Sequence, residues 1–135
     1  MLQRFKKIIP YLIVAVEIVC FFLADYFAIW HADFLLNKNF IFGSFTGLLV
    51  LNIAIIILIL FAFILIRRYQ FGIGLILAGS ISNLLDRIFY GGVIDYFRLP
   101  FRFPAFNLSD ISICFGAFLI ILTILFGNKL TNKTS

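Results

Sequence analysis

Four stretches of this 135-residue chain are long and apolar enough to cross a bilayer as helices, and that constrains the fold more than any other feature. A helix needs ~20 residues to cover the ~30 Å of hydrocarbon. The stretches lie near residues 8–30, 46–66, 71–90 and 111–126. With 64% hydrophobic residues, 13% charged residues and a mean hydropathy of +1.15, a water-soluble domain of this size could not hide its apolar side chains. The expected fold is an all-α integral membrane bundle of four transmembrane helices. It forms one domain over residues 1–135, with two outer loops and room for a small β element in one of them.

The third stretch is the least apolar, because Gly72, Gly74, Gly79, Ser80, Ser82 and Asn83 dilute it. Small residues four apart, Gly74 with Ala78 and Gly79 with Asn83, let helix backbones approach closely, which predicts a central position for this helix.

Basic residues favour the cytoplasmic side of short loops. Arg4, Lys6 and Lys7 precede the first stretch, Arg67 and Arg68 separate the second from the third, and Lys129 and Lys133 follow the fourth. All fall on one side of a four-span chain, so both termini are expected in the cytoplasm. The formal charge of +5 then reflects topology, with no nucleic-acid footprint. The basic start and apolar run also resemble a signal peptide, but Val19 before Cys20 is bulky for cleavage and the run continues to Trp30. An uncleaved helix is expected. Cys20 and Cys114 fall inside spans, where a free thiol behaves as a small hydrophobe. With His31 the only histidine, no metal site and no cofactor are expected.

Polar chemistry collects in the two outer connections, residues 31–45 and 91–110, and at the end of the third helix. Asn83, Asp86 and Arg87 share one helical face by their i, i+3 and i+4 spacing. They could form a structural charge network or part of a site. Asp95 follows a Gly91-Gly92 turn, and Asp110 stands where the fourth helix begins, near amides and a dipole that favour negative charge. Two such aspartates could serve as helix caps. If they approach each other, repulsion keeps one proton on the pair, which supplies an acid and a base for attack of water on a carbonyl. Glu17 lies near a membrane midplane and admits either a packing hydrogen bond or proton movement.

In order along the chain, "NLLDR", "GVIDY" and "FNLSD" match Asn-x-x-Asp-Arg, Gly-x-Val-x-Asp-Phe and Phe-Asn-x-Ala-Asp. These motifs resemble the lipoprotein signal peptidase (signal peptidase II) family of bacterial membrane aspartic proteases. "NKNFIFG" keeps Asn37, Phe42 and Gly43 of an earlier family motif, and Asp25 matches the first-helix aspartate. The resemblance implies Asp95 and Asp110 as catalytic residues and Asn37, Asn83, Arg87 and Asn107 as substrate-binding, with Asp25 and Asp86 in support. It also implies cleavage of a lipid-modified prolipoprotein just before its diacylglyceryl-cysteine. The expected setting is the bacterial cytoplasmic (inner) membrane, with the site near the outer face, membrane lipids as neighbours and a monomeric chain.

This chain has Ile29 where the family has lysine, Ser82 for glycine, Ser109 for alanine, Asn39 and Ile41 in the early motif, and a short first outer loop. The alternative reading is a divergent or inactive four-helix membrane protein that binds lipid or peptide, or moves protons through Glu17 and Asp25.

Overall fold

The computed structural model of the protein describes residues 2–38, 45–100 and 103–131, with side chains described over 6–38, 46–100 and 103–127. Asn39, Ile41, Phe42 and Gly43 of the early motif lie outside the described residues, as do Lys133 and the side chains of Arg4 and Lys129. Helix α1 runs Leu2–His31, strand β1 Leu35–Asn37 and helix α2 Phe45–Leu65. A 3-10 turn, Arg67–Tyr69, leads into α3, Gln70–Tyr90; strand β2, Val93–Asp95, and helix α4, Leu108–Thr131, complete the chain.

Segments Lys6–His31, Thr46–Leu65, Arg67–Tyr90 and Leu108–Gly127 are each long and apolar enough to span a membrane. This is an integral membrane protein. Large side chains such as Leu58, Phe61 and Leu125 point away from the bundle, where hydrocarbon can solvate them. The third span differs: 56% of its window is buried inside the protein, against 22% or less in the others. Helix α3 packs on α1, α2 and α4, and its small residues explain how it can. A Cβ at Gly79 would stand 2.5 Å from the Ser109 carbonyl oxygen, so only glycine allows α3 and α4 to meet so closely. Val14, Phe21, Phe63, Ile73, Leu77 and Ala78 form the apolar core around it. Within the spans, the Ser112 hydroxyl donates to the Leu75 carbonyl at 3.1 Å and fixes α4 against α3.

Helix α3 stops at Gly91, whose φ of 75° places it in the left-handed region that glycine tolerates; its N–H closes the helix on the Arg87 carbonyl at 3.1 Å. The reversal turns β2 back antiparallel to β1, in the register Leu35↔Asp95, Leu36↔Ile94 and Asn37↔Val93. A bridge between Phe97 and Phe106 then closes the second connection, with N–H···O distances of 2.9 and 3.1 Å. Helix α4 starts at Leu108 rather than Ile111, because Asn107 caps it and draws the polar Ser109 and Asp110 into its first turn.

Candidate active site

The buried polar residues Asp25, Ser82, Asn83, Asp86, Asp95, Asn107 and Ser109 gather at the end of the bundle that carries the two strands. Burial of so many polar groups is costly unless each has a partner or a purpose.

Asp95 follows the Gly91-Gly92 turn and ends β2, paired across from Leu35. Residues two apart on a strand share a face, and Asn37, opposite Val93, therefore reaches diagonally to Asp95: its Nδ2 donates to Oδ2 at 3.0 Å. Asp95 is 2% exposed, and its Oδ1 has no hydrogen-bond partner among the described residues. Burial pushes its carboxyl above the ordinary range, and the charge of Asp110 adds to this. The Asn37 bond and the positive charge of Arg87 act in the opposite direction.

Asp110 is the third residue of α4 and forms a reciprocal cap with Asn107. The Asn107 side-chain oxygen accepts the Asp110 N–H at 2.9 Å, while Asp110 Oδ2 accepts the Asn107 N–H at 3.1 Å. Its other oxygen accepts from Asn83 Nδ2 at 3.0 Å. The Asn107 amide also donates to Asn83 Oδ1 at 3.0 Å and to the Ile94 carbonyl at 3.2 Å, so one side chain ties α3, β2 and α4 together. Asp110 thus both caps α4 and joins the polar group.

Asp86 and Arg87, adjacent in sequence, take separate partners. Asp86 is fully buried and its Oδ2 accepts the Ile94 N–H at 3.1 Å, so it holds the strand residue that precedes Asp95. Arg87 is half-buried and its Nη1 donates back to the Asn83 carbonyl at 3.0 Å. Asp25, also fully buried, accepts the Ser82 hydroxyl at 3.3 Å. Serine at position 82, where the family motif has glycine, therefore joins α3 to α1.

All eight candidate residues contribute to this group. Glu17 does not: it lines a separate cavity of about 240 Å³ with Pro10, Phe63 and Gln70. Sequence reasoning missed Tyr96, whose hydroxyl accepts the Leu108 N–H at 3.2 Å and faces Asp25. The available signal was a hydroxyl beside Asp95 where the motif has phenylalanine. Alongside Asp110, a groove of about 450 Å³ lined by Phe106, Ile111, Cys114, Phe115 and Phe118 follows α4 into the apolar zone.

Fold and site together define a four-span membrane protein with two aspartates on hydrogen-bonded supports, near enough for their charges to interact, at the margin of the apolar region. A family model described as Signal peptidase (SPase) II matches residues 3–126. The chain belongs to the signal peptidase II family.

Over 103 residues the chain is 38% identical to the lipoprotein signal peptidase of Halothermothrix orenii, covering 70% of this chain and 69% of that protein. Similarity to the lipoprotein signal peptidase of Blochmanniella pennsylvanica is 37% over 105 residues, covering 67% and 62%. For that of Cupriavidus taiwanensis it is 40% over 81 residues, covering 58% and 46%, so these alignments span about half to two thirds of the relatives' length. Two solved bacterial membrane enzymes share the fold, with TM-scores of 0.75 and 0.76. They are 24% and 23% identical, over 93% and 86% of this chain and 91% and 92% of theirs.

Proposed function

We propose that this protein is a peptidase that removes the signal peptide of lipid-modified prolipoproteins, cutting just before the diacylglyceryl-cysteine by an aspartic mechanism. Membership of the signal peptidase II family supports the substrate class. The observation that carries the mechanism is the state of Asp95: buried, raised in pKa by burial and by Asp110, and with one oxygen unpartnered among the described residues. In this reading Asp95 carries the proton that the pair shares, and Asp110 acts as base. Asp110 takes a proton from water as the water oxygen bonds to the scissile carbonyl carbon, and Asp95 donates a hydrogen bond to the developing oxyanion. Collapse of the tetrahedral intermediate breaks the C–N bond, and the proton gained by Asp110 passes to the leaving amine.

The supporting roles follow from the hydrogen bonds. Asn37 orients Asp95, and Asn83 and Asn107 orient Asp110. Asn83 and Asn107 are 8% and 0% exposed, so they act more by holding Asp110 than by reaching substrate. Arg87, half-buried, is the polar donor best placed for a peptide carbonyl, while Asp86 and Asp25 hold the scaffold behind. The distribution of basic residues supports a reading with both termini in the cytoplasm and the site near the outer face of the cytoplasmic membrane, and we take the chain to act as a monomer.

The test is cleavage of a diacylglyceryl-cysteine prolipoprotein peptide by the protein in proteoliposomes, followed by mass. Products divided immediately before the modified cysteine are expected. No cleavage, or equal cleavage of the unlipidated peptide, contradicts the proposal.

A further inference from the structure

Tyr96 follows Asp95 directly, and its hydroxyl stands between two helices that otherwise touch little. Its oxygen accepts the Leu108 N–H at 3.2 Å, satisfying one of the amides that a helix start leaves without an intrahelical acceptor. A phenol that accepts one bond still has its own hydrogen to donate. The acceptor it faces is Asp25, with which it interacts electrostatically. Asp25 is fully buried; Oδ2 takes the Ser82 hydroxyl, and Oδ1 has no hydrogen-bond partner among the described residues. Ile29, at i+4 from Asp25 on α1, offers no donor. Burial above all pushes the Tyr96 phenol up to about 12, the Leu108 bond lowering it and the Asp25 charge raising it, so the hydroxyl keeps its hydrogen through the neutral range.

We infer that Tyr96 is a positioning residue for the reaction: its hydroxyl clasps α1 to the start of α4 through Asp25 and the Leu108 amide, and so fixes Asp95 relative to Asp110. Asp95 precedes the clasp by one residue and Asp110 follows Leu108 by two, so loss of the hydroxyl frees both carboxylates. The inference rests on the peptidase reading above for its effect on turnover, but the clasp can be read without turnover.

Tyr96→Phe keeps the ring and removes the bridge. In proteoliposomes its kcat for the lipidated peptide should fall about tenfold or more, with KM within about twofold of the unmodified protein. Amide exchange at Leu108, read by NMR, should accelerate about tenfold or more while the rest of α4 is unchanged, which separates a lost bond from unfolding. Asp25→Ala should reproduce the fall in kcat, and the double variant should lie within about twofold of the worse single variant, because both changes break one unit. Unchanged exchange at Leu108 overturns the clasp whatever the turnover. Faster exchange with unaltered kcat overturns its part in the reaction, and a raised KM with unaltered kcat overturns positioning in favour of substrate contact. If the unmodified protein cleaves nothing while Leu108 exchange still accelerates, the peptidase reading and the role in turnover fail together, and the clasp alone stands.

Discussion

Asn107→Ser separates two things that Asn107 does at once. Serine caps helices about as well as asparagine, so the bond to the Asp110 N–H can survive. It is too short to keep the two bonds from Nδ2, at 3.0 Å to Asn83 Oδ1 and 3.2 Å to the Ile94 carbonyl. Asn107 is 0% exposed, so both acceptors are stranded away from water, at about 1–3 kcal/mol each. Asn83 can recover part of this by turning, and a net loss of about 2–4 kcal/mol is expected. That turn also withdraws Asn83 Nδ2 from Asp110 Oδ1, and kcat should fall about 10- to 100-fold through misplacement of the carboxylate. Asn107→Ala should lose about 1 kcal/mol more, the worth of the cap. Thermal unfolding in detergent followed by circular dichroism reads the first quantity, and cleavage of the lipidated peptide the second. A serine variant with unaltered melting and turnover would refute the reasoning. Equal loss of stability in the serine and alanine variants would show that the cap contributes nothing.

Gly79→Ala puts a methyl carbon 2.5 Å from the Ser109 carbonyl oxygen and must push α4 away from α3, so melting should drop by the equivalent of about 1–3 kcal/mol; unaltered melting would mean the helices part without cost. The folded pKa of Asp95 lies above its ordinary 3.8, so its contribution to stability is fully present below about pH 4 and is lost as pH rises through the folded value. Asp95→Asn should therefore melt higher than the unmodified protein at neutral pH, with the gain vanishing near pH 4, and turnover of the unmodified protein should fall as pH rises through the same value. Reporter fusions after Ser135 and within residues 67–70 should read as cytoplasmic and one at Asn37 as external, and a cytoplasmic Asn37 would put the site on the wrong face.

The four helices were legible because a bilayer filters by length and apolarity, both of which a sequence states directly. Their ends were less so. Apolar counting started the last helix at Ile111, since it ignores polar residues that a cap such as Asn107 can carry into a first turn. The central place of α3 was written in its small residues, yet that Gly79 would meet the Ser109 carbonyl depends on the packing of two helices. The strand that carries Asp95 was not legible because it is three residues long and its partner strand lies far back along the chain. No local pattern shows a hydrogen bond such as Asn37 to Asp95, whose donor and acceptor residues are 58 positions apart. For the same reason adjacency could not decide whether Asp86 and Arg87 pair or take separate partners; the structure gives Asp86 the Ile94 amide. Tyr96 was overlooked because its partners, the Leu108 amide and Asp25, belong to different helices.

The central claim is that Asp95 and Asp110 act as one unit that holds and moves a single proton. Its most direct measurement is the kcat of Asp95→Asn, Asp110→Asn and the double variant on a diacylglyceryl-cysteine prolipoprotein peptide in proteoliposomes. Folding of each is checked in parallel by circular dichroism. Asparagine keeps the size of the side chain and one acceptor oxygen but cannot exchange the proton. Each single change should lower kcat by ~100-fold or more, and the double variant should be little worse than either, because members of one catalytic unit are strongly non-additive. Undiminished cleavage by either folded single variant would contradict the account.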